Sequence, residues 1–193
     1  MSLKSNYGTF IDRSINELRT GRPIVIKENK NYWMFFNIEH SENKILNQFN
    51  KYLLKEKYLL ITKQKAQSIF NNKITTNIFL KIDKKISNKS ILNLFINPLS
   101  NQNKLLFKNV ICNKSRDFHN VCLDIAKNAK VIPSLVFKKI NSKYYKNIDN
   151  LILQLGLLKF NHKELKNQNK FITNSIKLVY SANVPLPNVA STS

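Results

Sequence analysis

Four things are scarce in this chain: its 193 residues include only 3 glycines, 2 cysteines, 1 tryptophan and 11 acidic residues. So few glycines exclude a glycine-rich phosphate cradle, and neither a Walker A loop nor a G-x-G-x-x-G turn is present. Two cysteines do not make a secreted disulfide framework. No apolar run is long enough to cross a bilayer, and the polar start MSLKSNYG lacks a signal-peptide apolar core. A cytoplasmic chain with no membrane partner is the expectation. Arginine is scarce as well, represented by Arg13, Arg19, Arg22 and Arg116.

Lysine, by contrast, is abundant. Lys and Arg together number 32 against 11 Asp and Glu, a net charge of +21. Such a charge suits nucleic acid, because each lysine set against a phosphate releases a counterion. It also suits compositional drift, since Lys, Asn and Ile are high together, as in chains from AT-rich genomes. The planar fork of arginine, on which specific phosphate and base recognition leans, is rare here, and that favours drift. Either way, nonspecific adhesion to polyanions at low salt is expected. Hydrophobic residues at 42% and aromatics at 10% are those of a globular chain with room for one domain, or one domain and a tail.

The stretch Thr9 to Glu39 organises the rest. Thr9 is placed as an N-cap, and Ile11, Ile15 and Leu18 form one apolar helical face. Gly21 suits a helix end that needs positive φ, and Pro23 prevents resumption. Ile24-Val25-Ile26 reads as a strand covered on both faces, followed by an aromatic-rich strand over Tyr32 to Asn37. Further on, a helix is expected from Ser41-Glu42 to about Lys55, a strand over Lys57 to Ile61, and a helix capped by Thr62 with Ala66, Ile69 and Phe70 inward. Ile78, Leu80 and Ile82 alternate as a strand. A short helix falls between Ser87 and Leu99, stopped by Pro98, and a strand over Leu105 to Cys112. Ser115 is placed to cap a helix whose stripe is Phe118, Val121, Cys122, Ile125, Ala126 and Ala129. Leu135-Val136-Phe137 is strand-like, Asn147 leads a helix stopped by Gly156, Asn161 to Thr173 is a polar helix or loop, and Ile176 to Tyr180 a strand. The expectation is α/β: a single domain over 1–182, a mixed sheet with helices packed on it, and a linker-like tail over 183–193.

Several of these segments carry a family resemblance. Leu18-Arg19-Thr20-Gly21-Arg22-Pro23-Ile24, Asn37-Ile38-Glu39, Leu60-Ile61-Thr62-Lys63-Gln64-Lys65-Ala66, Ile125 to Val136 and Lys177 to Leu186 follow one another in the order of a known pattern. The chain resembles 3,4-dihydroxy-2-butanone 4-phosphate synthase, and more closely the synthase-like N-terminal domain that precedes GTP cyclohydrolase II in alphaproteobacterial riboflavin-biosynthesis proteins. The resemblance runs from about Ile11 to Leu186 and implies the synthase fold and a homodimer. It also implies a GTP cyclohydrolase II catalytic domain as partner, with zinc-dependent GTP hydrolysis as the activity of the longer protein.

The chemistry of either enzyme is not visible in the residues. The synthase family carries an acidic metal-binding loop after the first strand, where this chain has Lys27-Glu28-Asn29-Lys30-Asn31. One carboxylate between lysines cannot build an oxygen cage for Mg²⁺. The cyclohydrolase needs three zinc cysteines, and only Cys112 and Cys122 exist; zinc is expected only in a separate catalytic domain, beyond Ser193 in longer relatives. His119 and Cys122 stand i, i+3, but Cys122 belongs to the apolar stripe, so a buried thiol is the better reading. His40 and His162 are isolated, expected as solvated or capping groups. Tyr32, Trp33, Phe35 and Phe36 could stack nucleobases or fill the core, and their continuity favours the core. Arg22 could meet a phosphate or a carboxylate. No catalytic, cofactor or metal residue is assigned. The reading is a degenerate, non-catalytic domain with a structural or dimerisation role; the alternative is a stand-alone basic nucleic-acid-binding protein.

Overall fold

A computed structural model describes residues 4–40, 44–70, 73–83, 85–96 and 112–163. The chain begins with α1 (Lys4–Arg19), which passes into β1 (Ile24–Glu28) and β2 (Asn31–Asn37). After α2 (Lys44–Phe49) come β3 (Leu53–Ile61), α3 (Lys63–Phe70), β4 (Ile78–Ile82) and α4 (Asn88–Ile96). The last part holds β5 (Cys112–Lys114), α5 (Asp117–Asn128), β6 (Ser134–Ile140), α6 (Ile148–Gln154) and β7 (Leu158–Asn161).

The strands form one seven-stranded sheet in the order β5-β4-β3-β6-β2-β1-β7. All neighbours pair antiparallel except β1 and β7, which run parallel. The expected mixed α/β sheet is therefore what forms. Successive strand residues point to opposite faces, and each face builds its own core. Ile24, Ile26, Phe35, Leu60, Phe79 and Phe137 pack under α1 and α5. Val25, Met34, Phe36, Leu59, Leu80 and Val136 pack under α2, α3, α4 and α6. This two-sided covering explains the unbroken aromatic run of β2. Tyr32 and Phe36 serve one face, Trp33 and Phe35 the other.

Three helices end the same way. At the end of α1, Gly21 has φ +75°; its N–H donates to the Leu18 carbonyl at 3.1 Å, and that of Arg22 to the Glu17 carbonyl at 2.7 Å. These are the paired bonds of a Schellman closure. A Cβ on Gly21 would also lie 2.6 Å from the Cβ of His40, so space and torsion both require glycine. Lys130 (φ 57°) and Gly156 (φ 59°) close α5 and α6 with the same pair of bonds. The N-cap of α3 is as expected, with Thr62 Oγ1 accepting from the Lys65 N–H at 3.3 Å.

Other boundaries move. Helix α1 starts at Lys4, so Thr9 lies inside it and is not its cap. The helix expected to reach Lys55 stops at Phe49, turns through a 3₁₀ segment (Asn50–Tyr52) and becomes strand at Leu53. Leu53 pairs there with Ile140, and Tyr52 accepts a hydrogen bond from the Asn141 N–H at 2.9 Å. A strand partner thus outweighs a local helical period. Arg116, not Ser115, occupies the N-cap of α5. Strand β7 was not expected at all: its four residues gain strand character by lying parallel to β1. The anticipated segments at 41–43, 97–111 and 164–193, including the strand at 176–180 and the tail, lie outside the described residues.

Candidate functional site

The place to look for synthase-type chemistry is the turn after the first strand. There β1 and β2 are paired to their very ends, Glu28 opposite Asn31, leaving only Asn29 and Lys30 to turn the chain. Asn29 adopts φ 53°, a left-handed torsion that asparagine tolerates better than most residues. No acidic loop fits in a two-residue hairpin.

Glu28, the single carboxylate of this turn, points to the face covered by α1 and α5 and is only 6% exposed. One of its oxygens accepts from the Arg116 guanidinium, and the other from Trp33 Nε1 at 3.1 Å. Arg116 comes from the N-cap of α5, and Trp33 lies in β2. A buried carboxylate needs this pairing to offset lost hydration. Both oxygens are thereby engaged, and the group serves as a brace between hairpin and helix, not as a base open to a substrate.

Next to this brace lies His119, 3% exposed. Its Nδ1 accepts from the Arg116 backbone N–H at 3.1 Å, so the ring caps its own helix. The imidazole stacks on Phe79 with centroids 4.2 Å apart and meets Phe118 at 4.0 Å. Burial, aided by the Arg116 charge, pushes its pKa down to about 3, so the ring is neutral at physiological pH. Trp33, Tyr58 and Phe79 continue the aromatic cluster, Tyr58 and Phe79 stacked at 5.1 Å. Sequence spacing placed His119 on the helix; its service as a cap depends on where the helix begins.

The remaining candidates go to different places. Cys122 is fully buried in the core under α5, and burial raises its thiol pKa far above the ordinary value. Cys112 belongs to β5 at the sheet edge. Among the described residues no three of His, Cys, Asp or Glu come together as a metal would require. His40 is not a solvated group: it packs against Gly21, and its Nδ1 is buried. His162 bonds through Nδ1 with the Lys27 carbonyl at 3.2 Å and touches the edge of Phe118. Arg22 meets a carboxylate, Glu17, at 2.6 Å, and its Nη2 donates to the Gly156 carbonyl at 2.7 Å at the end of α6. Of the four aromatics of β2, Phe35 and Phe36 are buried and Tyr32 nearly so, leaving Trp33 partly exposed.

Two of the family-like segments, far apart in sequence, meet. Buried Asn37 donates through Nδ2 to the Ile132 carbonyl at 2.8 Å, and Glu39 accepts from the Ile132 N–H at 2.9 Å. Together they hold the loop between α5 and β6. A cavity of about 390 Å³ opens beside it, lined by Thr62, Gln64, Lys65, Ser68, Phe95, Ile132 and Pro133. Lys65 donates to the Phe95 carbonyl there at 2.9 Å, and among the described residues no carboxylate or imidazole lines the cavity.

Comparison with solved structures gives the fold a name. The chain is similar to a two-domain 3,4-dihydroxy-2-butanone 4-phosphate synthase from A. baumannii, with a TM-score of 0.52 and 10% identity over 80% of this chain and 56% of that one. It is similar as well to the synthase of Candida albicans, with a TM-score of 0.53 and 10% identity over 82% and 96%. A synthase in complex with two magnesium ions gives a TM-score of 0.52 at 7% identity over 83% and 96%. Among curated proteins, the chain is 30% identical over 111 residues to a small ribosomal subunit protein, uS3m, of Vanderwaltozyma polyspora, covering 55% of this chain. It spans about half the length of that relative, 49%. No protein-family model matches.

Proposed function

We propose that the chain, whose fold is that of dihydroxybutanone phosphate synthase, is a catalytically silent synthase-like domain serving riboflavin biosynthesis by supporting, as a homodimer, a GTP cyclohydrolase II catalytic domain. The observation that carries the proposal is the two-residue hairpin with its engaged carboxylate. Where the resemblance implies an acidic metal loop, Glu28 is buried against Arg116 and Trp33. A synthase reaction needs a carboxylate-held divalent metal and a base beside a sugar phosphate, and the turn offers neither. The family-like segments that persist do structural work: Gly21 and Arg22 close α1 and tie it to α6, while Asn37 and Glu39 fasten the loop at Ile132.

The test begins with the intact mass of the endogenous protein. A product much longer than 193 residues, with a three-cysteine zinc domain after Pro187, supports an accessory domain. A product of this length without a cyclohydrolase partner would sink that role. In parallel, the purified chain with added Mg²⁺ should fail to turn over the sugar phosphate used by the synthase family.

A second reading is a basic nucleic-acid-binding protein. It is favoured by the net charge of +21 and by the 30% identity to a small ribosomal subunit protein. Binding that saturates at a defined site size and survives physiological salt would support it; binding lost by about 0.15 M salt would reduce it to charge alone.

A further inference from the structure

We propose that the groove between Tyr52 and Tyr144 is a nucleotide-binding site for single-stranded RNA, in which a base meets the tyrosine rings and the neighbouring lysines hold its phosphates. The site rests on the nucleic-acid reading and gives it a location.

The groove holds about 390 Å³ and is lined by Tyr52, Tyr144, Asn147, Asn150, Leu151 and Gln154. The two rings stand edge to face, centroids 4.9 Å apart at 82°, so they form a corner with one wall for stacking and one for an edge contact. Asn147, Asn150 and Gln154 each carry a donor and an acceptor on one amide, the complement that base edges require. Lys51 holds its ammonium 5.0 Å from the Tyr52 ring centre, and Lys143 holds its own 4.8 Å from that of Tyr144. Charge and π-surface are thereby joined in one place, the combination by which single strands are bound.

The surrounding charge fits the same ligand. Among the described residues no carboxylate lines the groove, and Asp149, next to Asn150 in α6, is paired with Lys159 at 2.6 Å. Lys138 donates to Asn50 at 3.0 Å, two residues before Tyr52. The walls are also preformed. The Asn141 side chain accepts from the Lys143 N–H at 3.1 Å, its backbone N–H donates to the Tyr52 carbonyl, and Tyr145 Oη accepts from the Tyr32 N–H at 3.3 Å. These bonds fix the 3₁₀ turn Ser142–Asn147 against β2 and the 3₁₀ segment Asn50–Tyr52, so little ordering is left for the moment of binding. A duplex hides its base faces, which is why the ligand is single-stranded.

Fluorescence anisotropy with a labelled oligouridylate of about eight nucleotides tests this, in about 0.15 M salt. The wild-type chain should bind saturably and prefer the single strand to a duplex of equal length. Tyr144→Ala should weaken binding about tenfold, the loss of one stacked base. Lys143→Gln should weaken it severalfold and flatten the salt dependence, while Lys89→Gln, which removes an equal charge from α4, should leave it unchanged. A melting curve of each variant checks folding, and should Tyr144→Ala not fold, Lys143→Gln and Asn150→Ala decide. Saturable wild-type binding that ignores these substitutions would overturn the site while leaving the nucleic-acid reading standing. Equal losses at Lys143 and Lys89, or equal binding of duplex, would overturn it in favour of charge alone. Absence of saturable binding would overturn site and reading together.

Discussion

The two faces of the sheet are built from adjacent residues of the same strands, yet they treat polar groups differently. Among the described residues, the buried polar groups under α1 and α5 are neutral or neutralised. His119 is an uncharged cap, Ser14 donates to the Phe10 carbonyl at 2.9 Å, and Glu28 is held by Arg116 and Trp33. Under α2, α3, α4 and α6, lysine ammoniums are drawn inward onto carbonyl and amide oxygens, and Asp83 only partly offsets the cost for Lys57. Lys57 and Lys138 are cross-strand partners, Lys57 reaching the Ile86 carbonyl and Lys138 reaching Asn50. Burial lowers the pKa of Lys57, Lys65 and Lys138, and Lys57 is lowered further by Lys138. Long aliphatic stems allow this, because a lysine can bury its methylenes while its head finds a carbonyl or amide. A chain so rich in lysine fills positions where another would place neutral residues, and only one face bears the consequence.

The comparison can be broken most sharply at its centre. Phe35 and Phe36 are neighbours, both essentially unexposed, on opposite faces. Each substitution by alanine should cost about 3–5 kcal/mol in urea titrations. A loss under about 1 kcal/mol at either one would mean that its face is not a packed core. Gly21→Ala comes next. It combines an unfavourable positive φ with a Cβ at 2.6 Å from His40, so a loss of about 1–3 kcal/mol is expected, seen as a lower Tm. Unchanged melting would show that His40 moves aside freely.

Glu28→Ala leaves Trp33 Nε1 without its acceptor and removes the brace to Arg116. With Glu28 buried and Arg116 largely exposed, about 1–2 kcal/mol is expected. Tryptophan fluorescence should shift as Trp33 changes surroundings. A spectrum and stability equal to wild type would remove the claim that Glu28 has a structural task.

The effects of pH are gradual; they have the same sense on the two faces but fall at opposite ends of the pH scale. His119 has a folded pKa of about 3, below its ordinary value of 6.5. The unfolded chain therefore binds the proton more readily, and stability falls as pH drops from 6.5 toward 3, by at most about 1.4 kcal/mol per unit for this group. The lysines have folded values below 10.5, so their protonated forms are disfavoured in the native state. Stability should therefore rise as pH climbs through their folded values toward 10.5. His119→Asn should flatten the acid limb of a stability–pH curve, and Lys57→Met the alkaline limb. A variant that flattened the other limb would contradict this division of the two faces.

The positions read best from sequence are those whose signal is local and chemical. Gly21 and Gly156 mark helix ends because glycine adopts positive φ without penalty, and Thr62 marks a cap because its hydroxyl reaches the first-turn N–H groups. The stripe Phe118 to Ala129 on α5 and the two-sided burial of Ile24-Val25-Ile26 were legible from periodicity. Less was legible where a distant partner decides. Lys130 takes the left-handed torsion at the end of α5 with no residue type to announce it. Leu53 became strand because Ile140 lies beside it, and β7 exists because β1 offers an open edge.

The candidate site divides along the same line. The absence of an acidic loop could be read from Lys27 to Asn31 alone, since no fold can restore carboxylates that the chain does not contain. Composition likewise determined the basic charge and left too few glycines for a glycine-rich phosphate cradle, and residue order set the alternation that makes an α/β sheet. Tertiary structure alone decided what each polar group touches. It joined Glu28 to Arg116 across 88 positions, turned Arg22 toward Glu17 and the end of α6, and set Tyr52 against Tyr144. Periodicity reports which side of an element is apolar, a property of neighbours along the chain. The pairing of charges and rings depends on register and crossing between elements, to which residues far apart contribute equally.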